Sequence, residues 1–387
     1  MARRSSKMEN RTLIQRISFL WYGLDPSLGI ILLCLVVVGN ITFLSASSGT
    51  VVTWVEQGRN ILMALFIMWI TSRVPIKWLE KVSLWVYLLG ISLLLAVALF
   101  GQIKKGARRW LNLGVVIQPS EIMKIAMPMM LAWYFQKREG YIKLWDFGIA
   151  LCFLLLPTLL IARQPDLGTA ILVLAAGLYV IILAGLPWRF IVPFLILGCI
   201  GIIFILVFGD SICAKGVTWP ILQTYQQHRI CTLLDPSSDP LGKGFHTLQS
   251  MIAIGSGGLF GKGWMKGTQT HLEFIPEKHT DFIFAVYSEE FGFLGNIALL
   301  VLFLLLIQRG LQIAATAPNL YTRLLGGSVT LIFFTYAFVN MGMVSGLLPV
   351  VGIPLPFISY GGTALSTLGF GVGVLMSINR GKRLVQT

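Results

Sequence analysis

About ten mostly apolar stretches follow one another along this chain, most of them long enough to cross roughly 30 Å of hydrocarbon as a helix. They lie near Ser27–Ser45, Val55–Thr71, Val82–Phe100, Ile122–Phe135, Trp145–Ile161, Leu167–Leu186, Ile191–Phe208, Phe282–Ile307, Leu324–Ser345 and Ala364–Ile378. Their continuity argues against outer-membrane strands, which are ~10 residues long and alternate apolar with polar positions. Charged residues make up 12% of the chain, about half the roughly 25% of a soluble domain. That is too little polar surface for a water-soluble globule of 387 residues, and the chain is too apolar for disorder. Five cysteines over this length exclude a disulfide-built secreted scaffold. The fold class expected is an all-α polytopic membrane protein of about ten transmembrane helices.

Lysine and arginine set the orientation. With the N-terminus in the cytoplasm, the inner segments collect more than half of the 30 basic residues, among them Arg3, Arg4, Arg73, Lys77, Lys137, Arg138, Arg189, Arg309, Arg380 and Arg383. The short outer loops hold few: Lys104, Lys105, Arg108, Arg109 and Arg163. Both termini are therefore expected in the cytoplasm. The net charge of +14 is a topology signal; no basic-aromatic stripe or zinc finger points to nucleic acid. The first span is too long for the apolar core of a signal peptide and is expected to stay as an anchor. The chain divides into a tail at 1–26, a single membrane domain at 27–380 and a tail at 381–387. Residues 210–280 form a large outer loop between the seventh and eighth helices. It carries all four histidines (His228, His246, His271 and His279), and its Trp219, Phe245 and Trp264 point to order. Cys213 and Cys231 share this loop and either pair in an oxidising periplasm or stay free. Cys34, Cys152 and Cys199 sit in spans as packing residues.

A charge at the centre of a span costs roughly 2.5–3.5 kcal/mol on insertion scales, so the few charges near spans are informative. The fourth span opens with Gln118-Pro119-Ser120-Glu121 and Lys124. Pro119 suits a first helical turn. Glu121 and Lys124 share a helix face, as a structural ion pair or as part of a site. Asp166 opens the sixth span within Gln164-Pro165-Asp166-Leu167-Gly168-Thr169. Arg108-Arg109-Trp110 is either an interfacial anchor or a phosphate contact. Asp281 stands at the mouth of the eighth span, as a helix cap or as a working carboxylate. Glu289 and Glu290 point to different faces of that span, so at least one needs a basic partner or a polar cavity. Residues 346–362, with Pro349, Pro354, Pro356 and repeated glycine, cannot form a regular helix and are too apolar for an exposed loop. They are expected to pack in the outer leaflet beside a site. Gly255–Gly263 matches neither the phosphate loop nor the dinucleotide fingerprint. Glu277, His279 and Asp281 alternate, which is a weak signal for a metal.

These motifs, in this order, resemble the SEDS family (shape, elongation, division and sporulation), in its elongation rather than its division branch. The stretches that carry the likeness are Gly106–Leu111, Gln118–Glu121 with Lys124, Gln164–Thr169, Tyr225–Arg229, Asp235-Pro236, Asp239–Gly242, His279–Ala285 and Gly352–Gly362. The likeness covers nearly the whole chain beyond the N-terminal tail. It implies a ten-helix fold and a peptidoglycan glycosyltransferase that polymerises lipid II at the outer face of the bacterial cytoplasmic membrane. It also implies a complex with a class B penicillin-binding protein within the elongation machinery. The family's catalytic carboxylate falls on Asp281. Substrate contacts are expected from Arg108, Arg109, Gln118, Ser120, Asp166, Gln226, His228, Arg229, Lys278, Ser359 and Tyr360, with Glu121 and Lys124 as a supporting ion pair. A divalent cation, magnesium or manganese, is a candidate helper without defined ligands. The rival readings are a lipid II flippase and a silent scaffold for the penicillin-binding protein. A flippase should also handle charge at the cytoplasmic half, and a scaffold needs Asp281 only as a cap.

Overall fold

The computed structural model describes residues 24–47, 50–104, 107–112, 116–214, 217, 219, 224–236, 242–272 and 277–385. Ten long helices form the body: α1 (Pro26–Ala46), α2 (Val51–Thr71), α3 (Ile76–Phe100), α4 (Pro119–Lys137), α5 (Leu144–Arg163), α6 (Leu167–Leu183), α7 (Trp188–Ile212), α11 (Ile283–Ala315), α12 (Leu320–Val344) and α13 (Gly362–Val385). Three shorter ones, α8 (Thr224–Leu234), α9 (Lys243–Ser256) and α10 (Thr268–His271), lie between α7 and α11. Among the described residues, seven helices are long and apolar enough to cross a membrane. The exceptions among the ten are α2, α4 and α6; α6 is apolar but only 17 residues long.

Polar residues start several of the helices. Asp25 caps α1 through the Leu28 amide at 3.0 Å, with Pro26 in the first turn. Asn319 caps α12 in a reciprocal box with Thr322. Burial sorts the bundle into layers. Most of α12 is buried among its neighbours, whereas α7 is uncovered along its apolar length. Helices α4, α6, α12 and α13 thus form the inside, and α7 presents apolar side chains on every side, as lipid contact requires. Close backbone approach relies on small residues. A Cβ at Gly369 or Gly373 of α13 would meet the α2 carbonyls of Ala64 and Met68 at 2.4 and 2.7 Å.

The helix ends gather at two faces. At one, Arg309 pairs with Asp25 at 2.6 Å, Asn379 donates to the same carboxylate at 2.7 Å, and Arg380 donates to the Arg73 carbonyl. The other face is rich in connections and holds α8–α10, the 345–361 segment and a small antiparallel sheet. Its strands are β1 (Gln102–Lys104), β2 (Ala107–Asn112) and β3 (Val116–Ile117), in that order. An all-α chain was expected here. The stretch between α3 and α4 reverses twice within a few residues, and strand pairing satisfies its backbone where no helix is long enough to form. The long 210–280 segment is ordered in its described parts. A disulfide between Cys213 and Cys231 ties the end of α7 to α8.

Candidate functional site

The loop-rich face holds the site, built first around Asp166. This residue is the N-cap of α6, and its Oδ1 accepts the Thr169 amide at 3.4 Å. Its Oδ2 accepts from Gln118 Nε2 at 2.8 Å and from Ser120 Oγ at 3.2 Å. Both donors come from the start of α4, so two helix N-termini share one buried carboxylate. Arg109 on β2 brings its Nη1 to 3.9 Å from Oδ1, and its guanidinium also donates to the Pro165 carbonyl. The role of the small sheet is to deliver Arg109 to this point.

Asp281 sits opposite, in the turn before α11. Phe282 is the N-cap of that helix, so Asp281 stands one position outside it. Five hydrogen bonds, made by three residues, fix the turn. Asn340 of α12 donates through Nδ2 to the carbonyls of both Asp281, at 2.9 Å, and Ile353, at 2.7 Å. Ser359 Oγ donates to the Thr280 carbonyl at 2.6 Å and accepts the Leu355 amide at 2.7 Å. The Tyr360 amide donates to the His279 carbonyl at 2.9 Å. Tyr360 also stacks on Phe43 and donates its hydroxyl to Glu56. The 346–361 segment is therefore packed, as its composition requires. Its Val351–Gly352 stretch runs between the two carboxylates. A Cβ at Gly168 would meet the Val351 carbonyl at 2.8 Å, and one at Gly352 would stand 3.2 Å from Asp281 Oδ2. Gly352 has φ +75°, which also selects glycine.

Arg229 of α8 closes the group. Its Nη1 donates to the Val350 carbonyl at 2.7 Å. Burial pushes its pKa below the ordinary guanidinium value; Tyr225 opposes that, Arg109 adds to it, and Asp166 and Asp281 oppose it. Arg229 thus feels Arg109, Asp166 and Asp281. Beside them lies a cavity of about 290 Å³, lined by Tyr225, His228, Arg229, Thr232, Thr247 and Leu348–Val350, among others. His228 is held by Thr232 at 2.9 Å. A mostly apolar pocket with a cation and an imidazole on its wall suits a headgroup that carries phosphate on a lipid chain.

The remaining expected residues take other places. Lys124 is buried further along α4, 2.7 Å from Glu121 and 2.5 Å from the Tyr336 hydroxyl, and Thr367 donates to the same Glu121. Gln226 donates to the Tyr225 hydroxyl. Ser359 and Tyr360 brace the Asp281 turn. Lys278 is buried, and its ammonium donates to the Thr270 carbonyl at 2.9 Å. That bond ties the turn before α11 to α10. The side chain of Arg108 lies outside the described residues, although its backbone belongs to β2. Glu277 accepts from Thr280, and among the described residues no three of His, Cys, Asp or Glu gather as a metal site. Asn340, Glu56 and Tyr336 escaped the sequence reading. A lone amide in the apolar ninth span was the available signal for Asn340.

Fold and site together define a multi-pass helical membrane protein with paired acidic and basic groups beside a cavity at one face. The chain matches the model of the FtsW, RodA and SpoVE family of cell cycle proteins over residues 23–384, and it belongs to that family. It is 48% identical to the peptidoglycan glycosyltransferase MrdB of Escherichia coli over 364 residues, 94% of this chain and 95% of that one. It is 34% identical to the peptidoglycan glycosyltransferase RodA of Treponema pallidum, covering 75% of this chain and 81% of that one. Among solved structures it resembles a chain of a peptidoglycan synthase complex that coordinates polymerization and crosslinking, with a TM-score of 0.76, 31% identity and coverage of 94% and 99%. It also resembles the rod shape determining protein RodA of Thermus thermophilus, with a TM-score of 0.67, 26% identity and coverage of 94% and 98%.

Proposed function

We propose that this chain is a peptidoglycan glycosyltransferase that polymerises lipid II, with Asp281 as general base. The observation that carries the assignment is the Val350–Gly352 strip, which accepts from Arg229 at Val350, packs on Gly168 beside the Asp166–Arg109 pair and passes Asp281 at Gly352, with a mostly apolar cavity next to Arg229. An acceptor sugar hydroxyl attacks the anomeric carbon of the donor. Asp281 takes the hydroxyl proton as the new C–O bond forms, which is worth roughly 10²–10⁴-fold in rate. The C–O bond to undecaprenyl pyrophosphate breaks and its electron pair leaves with the phosphate, so direct displacement inverts the anomeric centre. Arg229 and Arg109 stabilise the charge that develops on the leaving group, and His228 lines its path. Asp166 orients Arg109. A magnesium or manganese ion bound to the pyrophosphate would supply further positive charge there. Glu121, Lys124 and Tyr336 hold the helices that wall the site.

The partner is a class B penicillin-binding protein that crosslinks the new strands in the elongation machinery. The loop-rich face lies in the periplasm and both termini lie in the cytoplasm. The lysine and arginine distribution supports this, and the Cys213–Cys231 disulfide suits an oxidising compartment. The test is purified protein with its partner, labelled lipid II in detergent, and a gel for polymer. Asp281→Asn should fold and bind the partner yet yield no polymer. Wild-type-like glycan from that variant removes Asp281 from the mechanism. No polymer from the unaltered complex favours a flippase or a scaffold, since detergent abolishes sidedness.

A further inference from the structure

Helix α11 is broken at Gly292, whose φ of 65° and ψ of −162° belong to a region that essentially only glycine occupies. An unbroken helix would bond the amides of Phe293 and Leu294 to the carbonyls of Glu289 and Glu290. Here all four groups turn to a second segment. Lys262 and Gly263 donate their amides to the Glu289 and Glu290 carbonyls, each at 3.0 Å, and Phe293 and Leu294 donate to the Gly258 and Leu259 carbonyls at 2.9 and 3.1 Å. The Gly255–Gly263 run that fits no nucleotide motif is thus a clasp that completes a broken span. Its glycines let backbone meet backbone, because a Cβ at Gly261 would stand 2.1 Å from the Glu290 carbonyl oxygen.

Side chains lock the clasp. Glu289 is fully buried, and its Oε1 accepts from Lys262 Nζ at 2.7 Å, Thr268 Oγ1 at 3.1 Å and the Gln269 amide at 3.0 Å. Its Oε2 accepts from the Thr270 amide at 3.4 Å and hydroxyl at 3.2 Å. The Thr270 carbonyl accepts from Lys278, three residues before Asp281. Glu289 therefore reaches Asp281 by two routes: up the short half-helix that starts at Ile283, and through Thr270 and Lys278 into the turn itself.

We infer that Glu289, locked by Lys262, is a positioning residue for Asp281, acting through the clasp at the α11 break and the Thr270–Lys278 strut. The inference rests on the reading of Asp281 as the base. Lys262 is partly exposed at the rim of the cluster, so Lys262→Met should fold with Glu289 still held by its backbone donors. The experiment measures lipid II polymerisation by the purified complex together with backbone hydrogen exchange in residues 257–263 and 289–294. Lys262→Met is expected to speed exchange in both segments and to lower kcat about tenfold with KM within about twofold, short of the ~10²-fold that a 1 Å misplacement costs. Lys262→Arg, which still reaches the carboxylate, restores both. Glu289→Gln moves both readouts further in the same direction, and if it fails to fold, the Lys262 pair decides. Faster exchange with unchanged kcat overturns the positioning role, and unchanged exchange overturns the lock. A raised KM at constant kcat overturns it in favour of substrate contact. Asp281→Asn in the same assay reports on the base alone, so the two readings fail separately.

Discussion

Asn340→Leu replaces an amide by an apolar side chain of similar size and isolates what holds the Asp281 turn. The wild-type Nδ2 serves two carbonyls, those of Asp281 and Ile353. Each carbonyl left without a donor in a buried setting costs about 1–3 kcal/mol. The same substitution removes the buried Asn340 Oδ1, which has no hydrogen-bond partner, and this returns about the same amount for one group. The net destabilisation is then about 1–3 kcal/mol, small enough for the protein to fold. Activity should fall further than stability. The carbonyl released is that of Asp281 itself, so the carboxylate shifts with its own backbone, and kcat should drop by about 10²-fold. Asn340→Asp keeps the size but turns acceptors towards two carbonyl oxygens, so it should be worse in both respects. The assay pairs a thermal unfolding curve in detergent with the rate of lipid II polymerisation. A Leu variant that loses stability yet keeps its kcat refutes the claim that Asn340 sets the position of Asp281.

Three further outcomes follow from the same geometry. Lys124→Met strands Glu121 in a largely buried site and should cost about 3–5 kcal/mol, whereas the double variant Glu121→Gln/Lys124→Met should recover most of it; equal melting temperatures for the single and double variants would count against the pair. Arg229→Ala should raise the KM for lipid II by about 10–100-fold, the worth of a charge-assisted contact of roughly 1.5–3 kcal/mol, and an unchanged KM would remove Arg229 from the binding site. Reduction of Cys213–Cys231, which closes a loop of sequence separation 18, should lower stability by about 3 kcal/mol, visible as a drop in melting temperature that a Cys213→Ser/Cys231→Ser variant reproduces without reductant.

Spans were legible because the membrane demands about twenty apolar residues in a row, and that demand shows in a linear sequence. The ends were less so. Helix α3 starts at Ile76, several residues before the apolar run at Val82, because Lys77, Glu80 and Lys81 keep helical geometry outside the hydrocarbon. Asp166 and Asp281 could be singled out because charge near a span is rare. The partners of Asp166, Arg109 and Gln118, come from stretches far away in sequence, and only their shared likeness to one family linked them beforehand. Lys278 shows the limit of reading by position. Three residues from Asp281, it was expected to touch substrate, and the structure adds a bond from its ammonium to a carbonyl of α10 that its position does not announce. Nothing in a run of residue types records which way a lysine stem leans. The clasp at Gly292 was hidden for a related reason, since its four hydrogen bonds are between backbone groups, which every residue carries.

The polar side chains of the loop-rich face have a second load that bears on how they should be tested. Irregular backbone among membrane helices must have its amides and carbonyls satisfied. At this face that work falls on the residues assigned to chemistry or to its support. Arg109 serves the Pro165 carbonyl, Arg229 that of Val350, Lys278 that of Thr270, Ser359 that of Thr280, and Asn340 those of Asp281 and Ile353. An alanine at any of these positions removes a site group and also orphans a buried carbonyl, so its loss of activity confounds binding with folding. Replacement of Arg229 by lysine separates the two. It keeps one positive charge and a donor for Val350 but gives up the planar fork that grips phosphate in two places. A lysine variant that folds like the wild type and still binds lipid II poorly would assign the guanidinium to the pyrophosphate. A lysine variant with wild-type binding would leave Arg229 as a support for the 346–361 segment alone.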